Sequence, residues 1–457
     1  MCHALSGPSP PAPLMLSLAS VSLLQSPRPL LRVAVAIVCT MPVASPAGAE
    51  AEPTAATIAL PDTGDRNLPP GVVIHHLPAS TRTYIGSPTL AILPDGTYVA
   101  AHDYFGPASS EHRLAVTDIF ASHDAGQSWE KQCRVNGAFW SNLFMHANDL
   151  HLLGVTRHHG PIVIRRSRDG GRTWTEPTDA ATGLLTPDGE FHTAPMPMLT
   201  HGGRLWRGFE DASGGGGWGK RYMAMMLSAP TETDGRPTDL LDSSSWTMAT
   251  PLRSDPSWLG GIGGWLEGNA VADEQGRILD ILRVDTKPGE PERVAIVEVS
   301  PDGTTMRFDP ENGFVEFPGG AKKFTIRQDP ETPSGAGKPR WWTLATAVPP
   351  SVAAAHSGSR PTTLRNTLVL MASDDLRNWE IRCVVLHHPD SRKHAFQYVD
   401  WLFDGEDIVA VSRTAHDDDA GGAHRAHDAN YLTFHRLREF RRLSMADSVV
   451  DPKSLGW

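Results

Sequence analysis

The 457-residue chain is poor in cysteine, with 4 in all, and Cys2 and Cys39 fall in its first fifty residues. The other two, Cys133 and Cys383, make no disulfide framework, so a packed core must hold the fold. Each follows a tryptophan (Trp129, Trp379) by four residues, which reads as equivalent places in different repeats and as two buried free thiols. A basic excess is also missing. With 41 Lys+Arg against 52 Asp+Glu the formal charge is −11, which argues against a nucleic-acid partner, whose phosphates need a positive face. No apolar run approaches the roughly 20 residues of a bilayer span, so no membrane anchor is expected. Between residues 80 and 440 no 3.6-residue periodicity persists beyond two or three turns, which excludes a helical bundle.

What the chain does have is turn formers and large apolar side chains. Gly (42) and Pro (38) are abundant, and 13 Trp with 14 Phe supply material for a sizeable core. Residues 1–49 contain no acid, a basic flank (Arg28, Arg32), the apolar run Val33–Cys39 and the small-residue site Ala47-Gly48-Ala49. That order reads as a secretory signal peptide and predicts a secreted or periplasmic protein. Residues 50–75 read as a Pro- and Ala-rich lead-in.

Repetition predicts the fold. Ser122-His-Asp124-Ala-Gly126-Gln-Ser-Trp129 recurs 45 residues later as Ser167-Arg-Asp169-Gly-Gly171-Arg-Thr-Trp174. Ser373-Asp-Asp375-Leu-Arg-Asn-Trp379 is a degenerate third copy, and Ser243–Trp246 is an eroded fourth. In each, Asp turns the chain through its own hydrogen bonds and Trp packs the returning strand. Strand–turn–strand patterns surround Asp95-Gly96, Gly276 and Asp404-Gly405. The S-x-D-x-G-x-x-W element resembles the Asp box of sialidase-like β-propellers. The resemblance implies an all-β, six-bladed propeller with four-stranded blades over residues 76–445, followed by a tail, 446–457.

Three segments extend the resemblance to the site. Trp265-Leu-Glu267-Gly-Asn, with Arg283 on the next strand, is similar to the sialidase segment carrying a catalytic Glu and a carboxylate-binding Arg. Arg365-Asn366-Thr-Leu368 is similar to the family's R-x-N-L arginine, and Tyr398-Val-Asp400-Trp401 to the segment holding its tyrosine nucleophile. The resemblance implies that Tyr398 attacks, Glu267 takes its proton, and Arg283 and Arg365 hold a sugar carboxylate. Tyrosine suits a sugar whose anomeric carbon bears a carboxylate, because an anionic nucleophile would be repelled. The family's first arginine, in an R-I-P motif, has no counterpart in Thr83-Tyr-Ile85-Gly86-Ser87-Pro88, so the arginine triad is expected to be incomplete. Asp103 and Glu111 are the candidate proton donors, with His102 as an alternative. His192 and Trp265 are expected to line the substrate site, and His146, Trp206, Arg207 and Glu210 are further candidates. No cofactor or metal is called for, although the loop His416-Asp-Asp-Asp419…His424…His427-Asp428 gathers ligand types. The expected partner is a glycan, and the expected activity an exo-glycosidase acting on a terminal acidic sugar. A uronate-directed polysaccharide lyase and a non-catalytic carbohydrate-binding propeller are the alternatives.

Overall fold

Short strands separated by Gly-, Asp- and Pro-bearing turns fold into six antiparallel blades in chain order, with a separate two-stranded hairpin at Glu232–Thr233 and Arg236–Pro237. The computed structural model describes residues 68–331 and 341–457, so the signal-peptide reading and most of the lead-in lie outside the described residues. The first blade is Tyr84–Ile92, Tyr98–Phe105, Val116–Ser122 and Glu130–Asn136. The fourth starts with Trp265–Ala272 and Ile278–Val284, and the fifth with Thr325–Gln328. The sixth starts with Ala395–Asp404, Asp407–Ala415 and Tyr431–Leu437. Its outer strand is Val72–His76, paired antiparallel to Tyr431–Leu437. The first described strand thus closes the ring, inside what the sequence suggested was lead-in. The six-bladed β-propeller is as expected.

Not every blade has four strands. The second has three, and Leu184 makes only an isolated bridge to Val163 where a fourth would run. Pro177, which lacks the amide a ladder needs, interrupts that stretch. In the third, Pro195 and Pro197 split the inner strand into Phe191–His192 and Leu199–His201.

A separate apolar cluster fills the seam between neighbouring blades. Val99 and Leu152 belong to the seam of the first and second, Ile164 and Phe209 to the next, and Trp206 and Ala270 to the third and fourth. Val294 meets Val369 between the fourth and fifth, Leu370 meets Trp401 between the fifth and sixth, and Val411 meets Leu90 where the ring closes. Residues 446–457 are no free tail. Val449 donates to Val384 O at 3.0 Å, and Val449, Val450 and Trp457 pack on the fourth–fifth seam.

The Asp boxes form as the sequence implies. Asp124 Oδ1 accepts from Ser122 Oγ and Ser128 N at 2.8 Å each, and the Trp129 indole donates to Gly126 O at 3.2 Å. The Ser167–Trp174 copy repeats this set, and Asp375 serves its own turn likewise. A further eroded copy, Ser300-Pro-Asp302-Gly303, has the same Ser–Asp bond at 2.6 Å. All follow the third strand of their blades. Cys133 and Cys383 are free and sit on the outer strands of the first and fifth blades.

Candidate active site

The inner strands of four blades bulge near the ring's axis. The register shifts between Ile85 and Pro88, Phe139 and Asn142, Leu266 and Asn269, and Gln397 and Asp400. Trp140 (φ +49°), Glu267 (φ +56°) and Tyr398 (φ +55°) occupy three of these bulges in the left-handed region. Such a conformation costs a non-glycine residue energy and re-aims its side chain, as bulges beside functional sites do.

Two of the bulged side chains meet. Tyr398 Oη donates to Glu267 Oε1 at 3.0 Å, although 131 positions separate them. Arg283 Nη1 donates to the other Glu267 oxygen at 2.6 Å. Arg365 Nη1 donates to Gln397 Oε1 at 2.5 Å and its Nε to Thr362 O at 2.9 Å, with the guanidinium 5.8 Å from the Tyr398 ring centre. A third cation, Arg413, lies 4.9 Å from that ring and 4.3 Å from the Phe105 ring, and donates to His427 O.

Arg413 is the residue that sequence reasoning missed. Arg283 stands opposite Leu266, just before the Glu267 bulge, and Arg413 stands opposite Gln397, just before the Tyr398 bulge. The two arginines are equivalents in the fourth and sixth blades, and the shared hairpin spacing was the available signal. Three arginines, Arg283, Arg365 and Arg413, thus surround Tyr398. The first blade has no room for one at Gly86, where a Cβ would lie 1.6 Å from Asp103 Oδ1. The Nε–H groups of Arg283 and Arg413 are buried with no acceptor among the described residues.

Burial pushes the Tyr398 hydroxyl above its usual range, Glu267 adds to this, and the three arginines oppose it. Burial also acts to raise Glu267, but Arg283, His192 and the Arg283 and Tyr398 hydrogen bonds outweigh it, leaving a carboxylate below its ordinary value. The resting pair is therefore neutral phenol and ionised acid.

The remaining candidates divide. His192 joins the site wall: its Nδ1 lies 2.7 Å from Glu210 Oε2, and its ring stacks on Tyr222 and meets Trp140 edge-on. Glu210 braces the Glu267 bulge by accepting from Glu267 N at 2.6 Å. Asp103 accepts from two bulge amides, Ser87 N at 2.7 Å and Trp140 N at 2.5 Å, which makes it a clamp between two blades. Glu111 is partly exposed in the loop after the same strand, with Oε2 3.9 Å from His158 Nδ1. Trp218, half-exposed in the glycine-rich loop, lies 5.6 Å from the Arg283 guanidinium.

Two expectations fail. His102 is fully buried, its ring nitrogens at 2.8 Å from His75 Nδ1 and Asp103 O, because alternation turns it away from the face Asp103 occupies. Trp265 is 0% exposed and packs on Trp258 and Phe308. In a regular strand it would share a face with Glu267, and the bulge separates them. Trp206 and Arg207 are likewise interior: the Trp206 indole donates to His201 O, and Arg207 Nε to Asn142 Oδ1 at 2.7 Å. His146 Nε2 lies 3.2 Å from Thr238 O.

This many buried ionisable groups should shape the pH dependence of stability. Burial holds His102, His192 and His427 down to about 3, and His151 and His435 to about 4. Unfolded histidine titrates near about 6.5, so their contribution is full above that pH and is lost as pH falls toward 4. Burial raises Asp103 to about 7, Glu210 to about 8, and Asp280 well above the carboxylate range. Their contribution is full below about pH 4 and is lost as pH rises through 7 to 8. The histidines outnumber the acids, so the melting temperature should rise from pH 4, peak between about 6 and 7, and decline toward pH 8. Calorimetry across that range checks this, and a steady rise through pH 8 would contradict it.

No family model and no curated protein sequence matches the chain. Solved structures do. An α-L-arabinofuranosidase from Fusarium graminearum, in complex with an iminosugar inhibitor, superposes with a TM-score of 0.50 at 13% identity, over 82% of this chain and 98% of that one. A protein of unknown function from Dyadobacter fermentans gives 0.50 at 11% identity, over 80% and 98%. The intramolecular trans-sialidase from Ruminococcus gnavus gives 0.48 at 12%, over 81% and 98%. The likeness is one of fold. Among the described residues no helix is long and apolar enough to cross a membrane.

Proposed function

We propose that the chain is an exported glycoside hydrolase that removes a terminal acidic sugar by a retaining mechanism. The observation that carries this reading is the 3.0 Å Tyr398–Glu267 hydrogen bond, with three arginines close to the pair. The sugar's carboxylate binds the guanidiniums, which fixes its orientation and compensates their charge. Arg283 is a main reason Glu267 is a weak base at rest, so placing an anion beside Arg283 strengthens that base when substrate arrives. Tyr398 Oη then bonds to the anomeric carbon and its proton passes to Glu267. The bond to the leaving oxygen breaks as that oxygen takes a proton from a general acid. Water later attacks the same carbon as the bond from that carbon to Tyr398 Oη breaks; water's proton returns to the acid, and the released Tyr398 oxygen recovers its own from Glu267. Glu111, in a loop and partly exposed, is the donor this reading prefers, since both Asp103 oxygens are engaged by backbone. That the F. graminearum arabinofuranosidase shares this fold supports hydrolysis of a glycoside.

The engagement of Asp103 also favours a second reading. A uronate lyase needs the arginines and the tyrosine but no carboxylic acid beside the leaving group.

A panel of glycosides of acidic sugars separates the two. Hydrolysis should release free sugar without a new ultraviolet chromophore, whereas an unsaturated, absorbing product would replace the first reading by the second. Binding without turnover across the panel would leave only a carbohydrate-binding propeller. On a substrate with an alkyl leaving group, Glu111→Gln should cost about 10²–10³-fold in kcat, and on a nitrophenyl glycoside less than about tenfold. Equal losses on both would remove Glu111 from the proton-donor role.

A further inference from the structure

Away from the Tyr398–Glu267 pair, three imidazoles converge from three loops. His388 follows the outer strand of the fifth blade, His394 immediately precedes the inner strand of the sixth, and His416 immediately follows that blade's second strand. The rings of His388 and His394 lie 3.5 Å apart and nearly parallel, and His416 meets His394 edge-on at 5.0 Å. One nitrogen from each lies within 4.8 Å of the other two.

The hydrogen-bonding of this cluster is incomplete. His394 is 3% exposed, yet among the described residues neither of its ring nitrogens has a hydrogen-bond partner, and Nδ1 of His416 has none either. Buried polar atoms nearly always have one. Carboxylates stand close by: Asp417 Oδ2 is 3.3 Å from His394 Nε2 and Asp390 Oδ2 is 3.5 Å from His394 Nδ1, both without hydrogen-bond alignment. The backbone around the rings, by contrast, is firmly held. Asn366 Nδ2 donates to His388 O at 2.7 Å, and Asn430 Oδ1 accepts from His416 N at 3.0 Å.

We propose that His388, His394 and His416 form a binding site for one divalent transition-metal ion of the zinc class, with Asp390 or Asp417 completing its coordination. Three imidazoles and a carboxylate suit such an ion and would not suit calcium or magnesium, which take oxygen. A tetrahedral zinc needs ligand atoms about 3.4 Å apart, so the stacked rings of His388 and His394 would have to turn to aim their nitrogens at one ion. The loop that the sequence singled out supplies only His416 and Asp417. His427 lies 3.0 Å and His424 3.5 Å from Asp428 instead.

The ion's task is positional. It ties the fifth blade to both ends of the hairpin that carries Tyr398 and Arg413, and His388 hangs from Asn366, the neighbour of Arg365. The site does not depend on what reaction that hairpin serves.

Metal content of the full chain tests this directly. Protein stripped with a chelator, re-equilibrated with zinc and desalted should hold about one zinc per chain. Cobalt should give the intense visible bands of a tetrahedral site, and zinc should raise the melting temperature of the stripped protein. His394→Ala should lose the stoichiometric zinc and the cobalt bands. His388→Gln, at a partly exposed position that perturbs packing less, should lose the bands while keeping the wild-type far-ultraviolet circular dichroism. Wild-type protein that retains no more zinc than His388→Gln, with no cobalt spectrum and no thermal shift, would overturn the proposal. So would tight zinc that both variants keep, because the ion would then sit elsewhere.

Discussion

Tyr398→Phe should lose turnover by roughly 10⁴-fold or more while remaining folded. The substitution removes one oxygen, and that oxygen makes the bond to Glu267. Glu267 keeps Arg283 on its other oxygen, so no buried carboxylate is left without a cation. The Phe ring still fills the space beside Arg413, and the melting temperature should move by no more than a few degrees. If Tyr398 is the nucleophile, a slow fluorinated acidic-sugar substrate should leave a covalent adduct on the wild-type peptide containing Tyr398, visible by mass spectrometry and absent in the variant. Near-wild-type turnover by the variant would remove tyrosine from the mechanism. A variant that unfolds would show instead that the hydroxyl is structural.

Gly86→Ala should damage the fold rather than the chemistry. A Cβ at Gly86 would meet Asp103 Oδ1 at 1.6 Å and the Asp103 carbonyl oxygen at 2.6 Å. The carboxylate is poorly placed to retreat, because Ser87 N and Trp140 N both hold it. Overpacking of this kind costs about 1–3 kcal/mol, and losing hydrogen bonds to a buried charge adds a comparable amount. We expect a loss of roughly 4 kcal/mol and a fall in melting temperature of roughly 5 °C, or failure to accumulate as soluble protein. Gly358→Ala is the matched control, since a Cβ there meets nothing within 4 Å and the backbone has no positive φ. Equal stability of the two variants would show that the Asp103 clamp does not constrain the first blade.

Much of the ring was legible because its turns are local. An Asp box closes its bonds within eight residues, so its signature survives without any tertiary partner. Glu267, Tyr398, Arg283 and Arg365 were legible through motifs on separate hairpins, and the fold brings them together. Arg413 was not, because it is an isolated cation in the mainly apolar strand Asp407–Ala415 and only its register opposite Gln397 reveals its place. His102 and Trp265 were misplaced because the sequence does not say which face of a strand meets the site. His102 sits on the regular strand Tyr98–Phe105 and alternates away from Asp103, whereas the one extra residue of the bulge between Leu266 and Asn269 breaks the alternation that would have put Trp265 on the face of Glu267. The histidine cluster was half legible. His416 stood out in its acidic loop, but nothing in the sequence joins it to His388 and His394.

The pairing of Val72–His76 with Tyr431–Leu437 has a consequence for biosynthesis. The earliest-made described strand must wait, exposed, until almost the whole polypeptide has been synthesised before its neighbour exists. During that interval the sixth blade consists of its outer strand alone, and the amides of that waiting segment are open to chaperones or to a sister chain. Shortening the protein by a few residues near position 72 would therefore weaken a join made last in time, on the blade that carries Tyr398.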